Sequence, residues 1–383
     1  MRIGLVAGES SGDLLGAGLI SALKARCPEA TFEGVAGPMM QAAGCEAWED
    51  ADTLAVFGLI EPLKVIPKLL RLRRTLIRRW SENPPDVFVG IDAPDFNLGL
   101  EIKLRERGIK TVQYVSPSVW AWRQRRVRKV DRAVDKVLCL LPFEKTFYDE
   151  HGVAAEFVGH PMADNLPVDL DTVTVRSVLG IDAPMVVAVL PGSRKSEVSR
   201  LGPIFANTCA QLLKSFPDLR FVAPMVTDRL KQLFLTHLDA AGISDYFLLT
   251  DGDAQSAIAA SDMVLLASGT ASLQTAILCK PMVGAYRFSA LTYAIAKTFN
   301  LVDVPFFTLP NLLTEEPLVP EFLQAEATPQ ALATAVTELL DNPERRAMIS
   351  RKFAELRGEL ALDADNRAAS AVLGLASSPT RQI

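Results

Sequence analysis

Val87-Phe88-Val89-Gly90-Ile91-Asp92-Ala93-Pro94-Asp95-Phe96-Asn97 runs a β-branched and aromatic segment directly into a loop with two carboxylates. Such an unbroken apolar run reads as a strand buried on both faces of a parallel sheet. Pro94 cannot continue the ladder, so the strand stops there. In doubly wound sheets, ligands bind just beyond the carboxyl ends of the strands. Asp92 is therefore a candidate general base. The competing reading is that Asp92 or Asp95 only caps the helix that follows.

The pattern repeats downstream. Thr111-Val112-Gln113-Tyr114-Val115 reads as a strand and opens into Ser116-Pro117-Ser118-Val119-Trp120-Ala121-Trp122-Arg123-Gln124-Arg125-Arg126. Ser116, Trp120 and Arg123 are read as lining of a ligand cleft. Trp122 and Arg128 are read as core and solvated helix face. Further strands are expected near 2–7, 31–36, 137–140 and 155–158, alternating with helical patterns as in α/β folds. The polar, proline-bounded stretch His160–Pro167 is expected to be a hinge. A second α/β set follows, with strands at 185–190, 219–224, 246–249, 263–267 and 281–284, and the chain turns helical from Thr328 to about Leu373. No internal repeat or low-complexity tract interrupts it.

The second half offers two phosphate cradles. Val186–Leu190 leads into Pro191-Gly192-Ser193-Arg194, where a glycine turn lets the backbone approach an anion and Arg194 can fork onto its oxygens. Met263–Ala267 leads into Ser268-Gly269-Thr270-Ala271, a helix start with free amides. Each could be an ordinary turn with an N-cap, but two in one domain favour a diphosphate. No G-x-x-x-x-G-K-[ST] is present, and no strand leads into G-x-G-x-x-G, which argues against a P-loop nucleotidase and a dinucleotide oxidoreductase. The three histidines (His151, His160, His237) lack ligand spacing. The triplets Asp169-Leu170-Asp171 and Asp251-Gly252-Asp253 read as solvated loops, so no metal site and no cofactor is expected.

The pieces GESSGD (8–13), GVAGPMMQAAGCEAW (34–48), GIDAPDFN (90–97), YVSPSVWAWRQRR (114–126), LPFEK (141–145), LPGSR (190–194), ASGTAS (267–272) and LPNLL (309–313) together resemble the lipid-A-disaccharide synthases. They occur in order across most of the chain. The resemblance implies a GT-B glycosyltransferase, with two Rossmann-like domains facing across a cleft. Domain limits of 1–165 (acceptor and membrane side), 166–345 (UDP-sugar side) and a helical tail 346–383 follow. The implied reaction joins UDP-2,3-diacylglucosamine to 2,3-diacylglucosamine 1-phosphate (lipid X), with inversion, giving the β-1,6-linked disaccharide 1-phosphate and UDP. Domain closure would align the two substrates and exclude water. Asp92 would be the base, with Glu9 and Asp95 as rivals and Ser10 and Ser11 beside the acceptor. Asn311 and Gln324 match positions near the donor. Gln274 stands where related enzymes usually carry a ribose-gripping glutamate, so a hydrogen bond without the charge is expected there.

Leu59 to Trp80 adds a membrane expectation. At about 100° per residue, Leu63, Val65, Ile66, Leu69, Leu70, Leu72, Leu76, Ile77 and Trp80 share one half of a helical wheel. Lys64, Lys68, Arg71, Arg74, Arg78 and Arg79 share the other, and Arg73 strays. Seven basic residues without an acid between Pro62 and Trp80 are unusual in a chain of net charge −5. The alternatives are a core-facing helix with a solvated back and an interfacial helix on anionic lipid; the uniform positive face favours the second.

Composition sets the outer limits. A length of 383 residues suits two or three domains, and the acidic balance argues against a nucleic-acid binder. Five cysteines without paired spacing fit a reducing cytoplasm. The short apolar run after Met1 reads as a first strand, not a signal peptide, and no uncharged run is long enough to span a bilayer. The expected location is the cytoplasmic face of the inner membrane, peripherally bound, with a homodimer left open. Two other classes stay in view: a UDP-sugar 2-epimerase of the same architecture, and a non-catalytic lipid carrier.

Overall fold

The computed structural model describes residues 1–54, 62–120, 126–167, 170–288 and 306–378, with side chains described from Ile66 onward in the helix Pro62–Glu82. Two compact units divide the chain: Met1–Asp164 with Leu360–Ile383, and Asn165–Glu359.

In the first unit the strands are β1 (Arg2–Ala7), β2 (Thr31–Ala36), β3 (Cys45–Asp50), β4 (Val87–Ile91), β5 (Lys110–Tyr114), β6 (Lys136–Cys139) and β7 (Ala155–Phe157). They pair in parallel in the order β3-β2-β1-β4-β5-β6-β7. In the second, β8 (Val186–Leu190), β9 (Arg220–Met225), β10 (Phe247–Asp251), β11 (Met263–Ala267), β12 (Met282–Tyr286) and β13 (Glu321–Leu323) form a parallel sheet ordered β10-β9-β8-β11-β12-β13. Both are doubly wound. In each, the strand order reverses beside the first strand, between β1 and β4 and between β8 and β11, and this reversal is where such sheets bind ligands. Central strands β4, β8 and β11 are buried at every residue, as their unbroken apolar runs require.

β3 and β13 were not expected. Cys45-Glu46-Ala47-Trp48-Glu49-Asp50 carries three acids and forms an edge strand, where one side faces water. The expected tail 346–383 is corrected as well. Helix Pro343–Leu360 belongs almost wholly to the second unit, and helix Ala364–Ser377 returns to the first, packing on helix Glu9–Arg26. Asp164 accepts from the amides of Asp363 (2.9 Å) and Ala364 (2.8 Å), and Lys110 Nζ donates to the carbonyls of Leu375 (2.8 Å) and Ala376 (3.2 Å).

Helix Pro62–Glu82 runs on through Pro67. Its apolar face is core, which corrects the interfacial reading for most of the residues named. Leu69, Leu76 and Trp80 are buried in one cluster with Val6, Phe88, Phe96 and Leu100, and Leu72 and Ile77 pack against it. Trp80 lies 5.4 Å from Trp48 and 5.1 Å from Phe88, ring centre to ring centre, and its Nε1 donates to Glu33 Oε1 at 3.0 Å. Among the described side chains of the expected set, Ile66 and Leu70 stay open, each 42 % exposed; the Leu63 and Val65 side chains lie outside the described residues. Arg73 strays from the basic face for a reason: it stacks on Phe96 at 4.9 Å and donates to the Asp95 carbonyl at 3.1 Å. No described helix is long and apolar enough to cross a membrane.

Candidate active site

The loops after β1 and β4 emerge side by side, since Ala7 pairs with Ile91 in the register. A Cβ on Gly8 would lie 2.8 Å from that of Ala93, so the two loops touch. Both are strained. Glu9 (φ 60°), Asp92 (φ 51°) and Ala93 (φ 42°) occupy the left-handed region, as does Val115 (φ 75°) after β5. Each such residue costs about 1–3 kcal/mol and persists only where its surroundings impose it. The surroundings are visible: the Asp92 amide donates to the Tyr114 carbonyl (2.9 Å), and the Asp92 carbonyl accepts from Asn97 Nδ2 (2.9 Å) and Gln113 Nε2 (3.0 Å).

Helix Pro94–Arg105 starts at Ala93 with no side-chain cap, so neither aspartate serves as one. Asp92 is half-buried. Burial pushes its carboxyl above the ordinary range, the Ala93 amide pulls it back, and the charge of Glu9 raises it further. Asp95 instead points outward and pairs with Arg126 at 3.0 Å. Glu9, Ser10 and Ser11 are exposed. The acid of GESSGD that does structural work is Asp13, which accepts from the amides of Gly37 (3.0 Å), Met39 (2.9 Å) and Met40 (3.0 Å).

In the second unit the two turns differ. After β8, Glu197 reaches back and accepts from the amides of Ser193 (3.0 Å) and Arg194 (3.2 Å). Those amides are thus taken, contrary to the cradle expected there. Gly192 is also explained internally, because at φ 120° a Cβ would sit 2.5 Å from Glu197 Oε2. Still open to a ligand are the Ser193 hydroxyl, the Arg194 guanidinium, 70 % exposed and 3.5 Å from Glu197, and the amides of Lys195 and Ser196, which have no partner among the described residues. After β11 the helix Thr270–Ile277 starts at Gly269 with no side-chain cap. Gly269 and Thr270 are exposed and Ala271 half-buried. Ser268 Oγ is engaged with the Phe307 carbonyl at 2.9 Å. Among the described residues the amides of Thr270 and Ala271 have no partner, the arrangement that binds anions.

Strained acids at one switch point and an open helix end at the other suit sugar-nucleotide chemistry, and the comparisons agree. The sequence profile of the family described as lipid-A-disaccharide synthetase matches residues 3–372. Lipid-A-disaccharide synthase of Alkalilimnicola ehrlichii is 50% identical over 380 residues, covering 98% of this chain and 99% of that one. The chain belongs to the lipid-A-disaccharide synthase family. It is a glycosyltransferase. The same-named protein of Yersinia pestis is 50% identical over 379 residues, covering 98% and 95% of the two chains. Among solved structures, a putative UDP-N-acetylglucosamine 2-epimerase from Listeria monocytogenes superposes with a TM-score of 0.62 at 12% identity, covering 97% of this chain and 94% of that one. WaaG, a glycosyltransferase involved in lipopolysaccharide biosynthesis, gives 0.56 at 12% identity, covering 98% and 100%. At such identities the likeness is one of fold, here the GT-B type.

Other residues singled out in the sequence sort unevenly. Ser116 is buried and bonds Tyr148 Oη at 3.1 Å, so it is not open lining. Trp120 is half-buried, edge-on to Phe143 at 4.7 Å, and donates to Glu144 Oε1 at 3.3 Å. Arg123 lies outside the described residues. Asn311 is buried with its capacity filled: Nδ2 donates to the Val319 carbonyl (2.8 Å) and Glu321 Oε1 (2.7 Å), and Oδ1 accepts from the amides of Leu318 (2.8 Å) and Val319 (2.9 Å). It braces the chain around β13 and is not free for a donor sugar. Gln324, at φ 54°, holds a buried Nε2 without a partner among the described residues. Gln274 is half-buried, one turn into the helix with the open end. Of the acidic triplets, Asp171 and Asp253 cap helices and Asp251 pairs with Lys231 at 2.8 Å; Asp169 lies outside the described residues.

Glu144 was missed by sequence reasoning. It is buried, its carboxyl pushed up to about 7 by burial, and it also accepts from the Leu141 amide at 3.1 Å. Its position three residues into the helix after LP is a capping-box signal, the same device Glu197 uses.

Proposed function

We propose that the chain transfers 2,3-diacylglucosamine from its UDP derivative to O6 of 2,3-diacylglucosamine 1-phosphate, with inversion. The observation that carries this reading is the strained pair Asp92–Ala93 at a switch point, with an acid raised above its ordinary range. Asp92 takes the proton from the acceptor hydroxyl as it attacks the anomeric carbon, and a base with a raised pKa is better matched to neutral pH. The amides of Thr270 and Ala271, without partners among the described residues, neutralise the leaving diphosphate together with the Arg194 guanidinium. Gln274 and Gln324 offer hydrogen bonds to the donor. The acyl chains keep both substrates in a bilayer, and exposed Ile66 and Leu70 beside the basic face of helix Pro62–Glu82 suit an anionic membrane surface. Further along the same helix, Arg74, Arg78, Lys103 and Arg107, with Glu82, line a groove of about 550 Å³.

A transfer assay with both acylated sugars in detergent tests the reading. Disaccharide 1-phosphate should form, and UDP-N-acetylglucosamine alone should not be turned over. Epimerisation of UDP-N-acetylglucosamine without transfer would hand the site to the epimerase alternative.

Arg194→Ala should weaken UDP binding by roughly tenfold, since a charge-assisted contact to phosphate is worth about 1.5–3 kcal/mol and exposure reduces it. Lys at this position should restore only part. Calorimetry showing unchanged UDP affinity would remove Arg194 from the site.

Glu9→Gln bears on the base. The charge of Glu9 raises the Asp92 pKa, so removing it should lower that pKa and move the acid limb of kcat/KM to lower pH. An abolished rate would instead make Glu9 the base.

A further inference from the structure

Beneath the Asp92 loop lies a polar cluster that the reaction itself does not use. Asn97, Glu101 and Gln113 are all 0% exposed. Asn97 and Glu101 stand one turn apart on helix Pro94–Arg105, so they share a face. That face meets the sheet at Gly90, where a Cβ would lie 2.4 Å from Glu101 Oε1 and 3.0 Å from the Asn97 Cγ. Gln113 is the register partner of Gly90 on the neighbouring strand. The glycine leaves a notch, and the polar ends gather over it.

The hydrogen bonds fix which way both amides point. Asn97 Nδ2 faces the carbonyls of Val6 (3.3 Å), Ile91 (3.4 Å) and Asp92 (2.9 Å). Gln113 Nε2 faces those of Asp92 (3.0 Å), Tyr114 (3.3 Å) and Val115 (3.2 Å). Turning either amide over would set oxygen against carbonyl oxygens. Asn97 Oδ1 and Gln113 Oε1 are then left without a donor, and so are both carboxyl oxygens of Glu101, among the described residues. Four buried acceptors without a donor are costly, because each forfeits its hydration. A proton on Glu101 turns one of the four into a donor, which can serve one of the two amide oxygens.

We propose that Glu101 is a positioning residue: a neutral carboxylic acid whose O–H donates to one amide oxygen of the Asn97–Gln113 pair and thereby helps hold the Asp92 carbonyl and its left-handed backbone. Burial drives the Glu101 carboxyl well above its ordinary range, and Lys129, on helix Val127–Ala133, is the charged neighbour that opposes it. The proposal rests on the reading of Asp92 as the base.

The test compares Glu101→Gln and Glu101→Leu in the full chain. Gln replaces the O–H with an N–H donor and should keep transfer within a few-fold of wild type. Leu removes the donor and should lower kcat by about 10²-fold, as expected when a reacting group is displaced by about 1 Å, with KM for both substrates little changed. The acid limb of the pH profile should be the same in Glu101→Gln and wild type, since a group neutral throughout contributes nothing to it. A shifted limb, or a Gln variant as poor as Leu, overturns the proposal, as does a folded Leu variant of normal activity. Should the Leu variant fail to fold, isotope-edited infrared on wild type at neutral pH still decides. A protonated-carboxyl band that vanishes in Glu101→Gln supports the assignment, and its absence in wild type overturns it. Full activity in Asp92→Asn would sink the base while leaving the infrared result standing, so the two failures are separable.

Discussion

Asp92→Asn is expected to lower turnover by about 10²- to 10⁴-fold, the typical contribution of a general base, and to leave UDP affinity within about twofold. The substitution is nearly isosteric, and the contacts from Tyr114, Asn97 and Gln113 are made by the amide and carbonyl of residue 92. The side-chain oxygen of Asn can still accept from the Ala93 amide that the carboxylate faces. The strained loop therefore survives. Arg194 and the helix end at Gly269, proposed to hold the nucleotide, belong to the other compact unit. The effect should fall on kcat and kcat/KM alike, as it does when the lost interaction forms only in the transition state. Single-turnover transfer and UDP calorimetry on the same preparation measure both halves. A variant within a few-fold of wild type would exclude Asp92. Asp95 would be a poor replacement, exposed and paired with Arg126, which leaves Glu9 as the next base to test.

Strand positions were legible because buried parallel strands are written as unbroken apolar runs, and β1, β4, β8 and β11 are such runs. β3 and β13 were not. One is an acidic edge strand, and the other a three-residue strand whose pairing with β12 is not local in sequence. The same division runs through the site. The strand-end acids and glycine turns could be placed by position alone, but what each turn does depends on side chains that come back to it. Glu197 occupies the amides expected for phosphate, and its place at the third helical position was a signal that could have been read. Asn311 gave no such signal. Its partners Val319 and Glu321 lie eight and ten residues on, and their spacing carries no local pattern.

Helix Pro62–Glu82 shows most clearly how far periodicity goes. A 3.6-residue pattern establishes that one face is apolar and says nothing about what covers it. The basic back favoured lipid, whereas Phe88, Phe96 and Trp48 cover most of the apolar face. The consequence is a split within one helix. Leu76→Ala should destabilise the protein by about 2–5 kcal/mol, the range for a buried leucine whose cavity cannot fully collapse, since Leu76 is 1% exposed. Ile66→Ser with Leu70→Ser should leave the unfolding free energy within about 0.5 kcal/mol for each change. That pair should nonetheless weaken sedimentation with anionic vesicles by at least about tenfold, because inserting a side chain of this size is worth about 1.5–3 kcal/mol and 1.4 kcal/mol is a factor of ten. Added salt should weaken the wild type too, each exposed cation contributing about 1 kcal/mol near the surface. Thermal melts and vesicle sedimentation on the same three proteins separate the roles. If Ile66→Ser with Leu70→Ser melts early, these side chains are core like their neighbours. If it is stable and still pellets with vesicles, this end of the helix is not what meets the membrane.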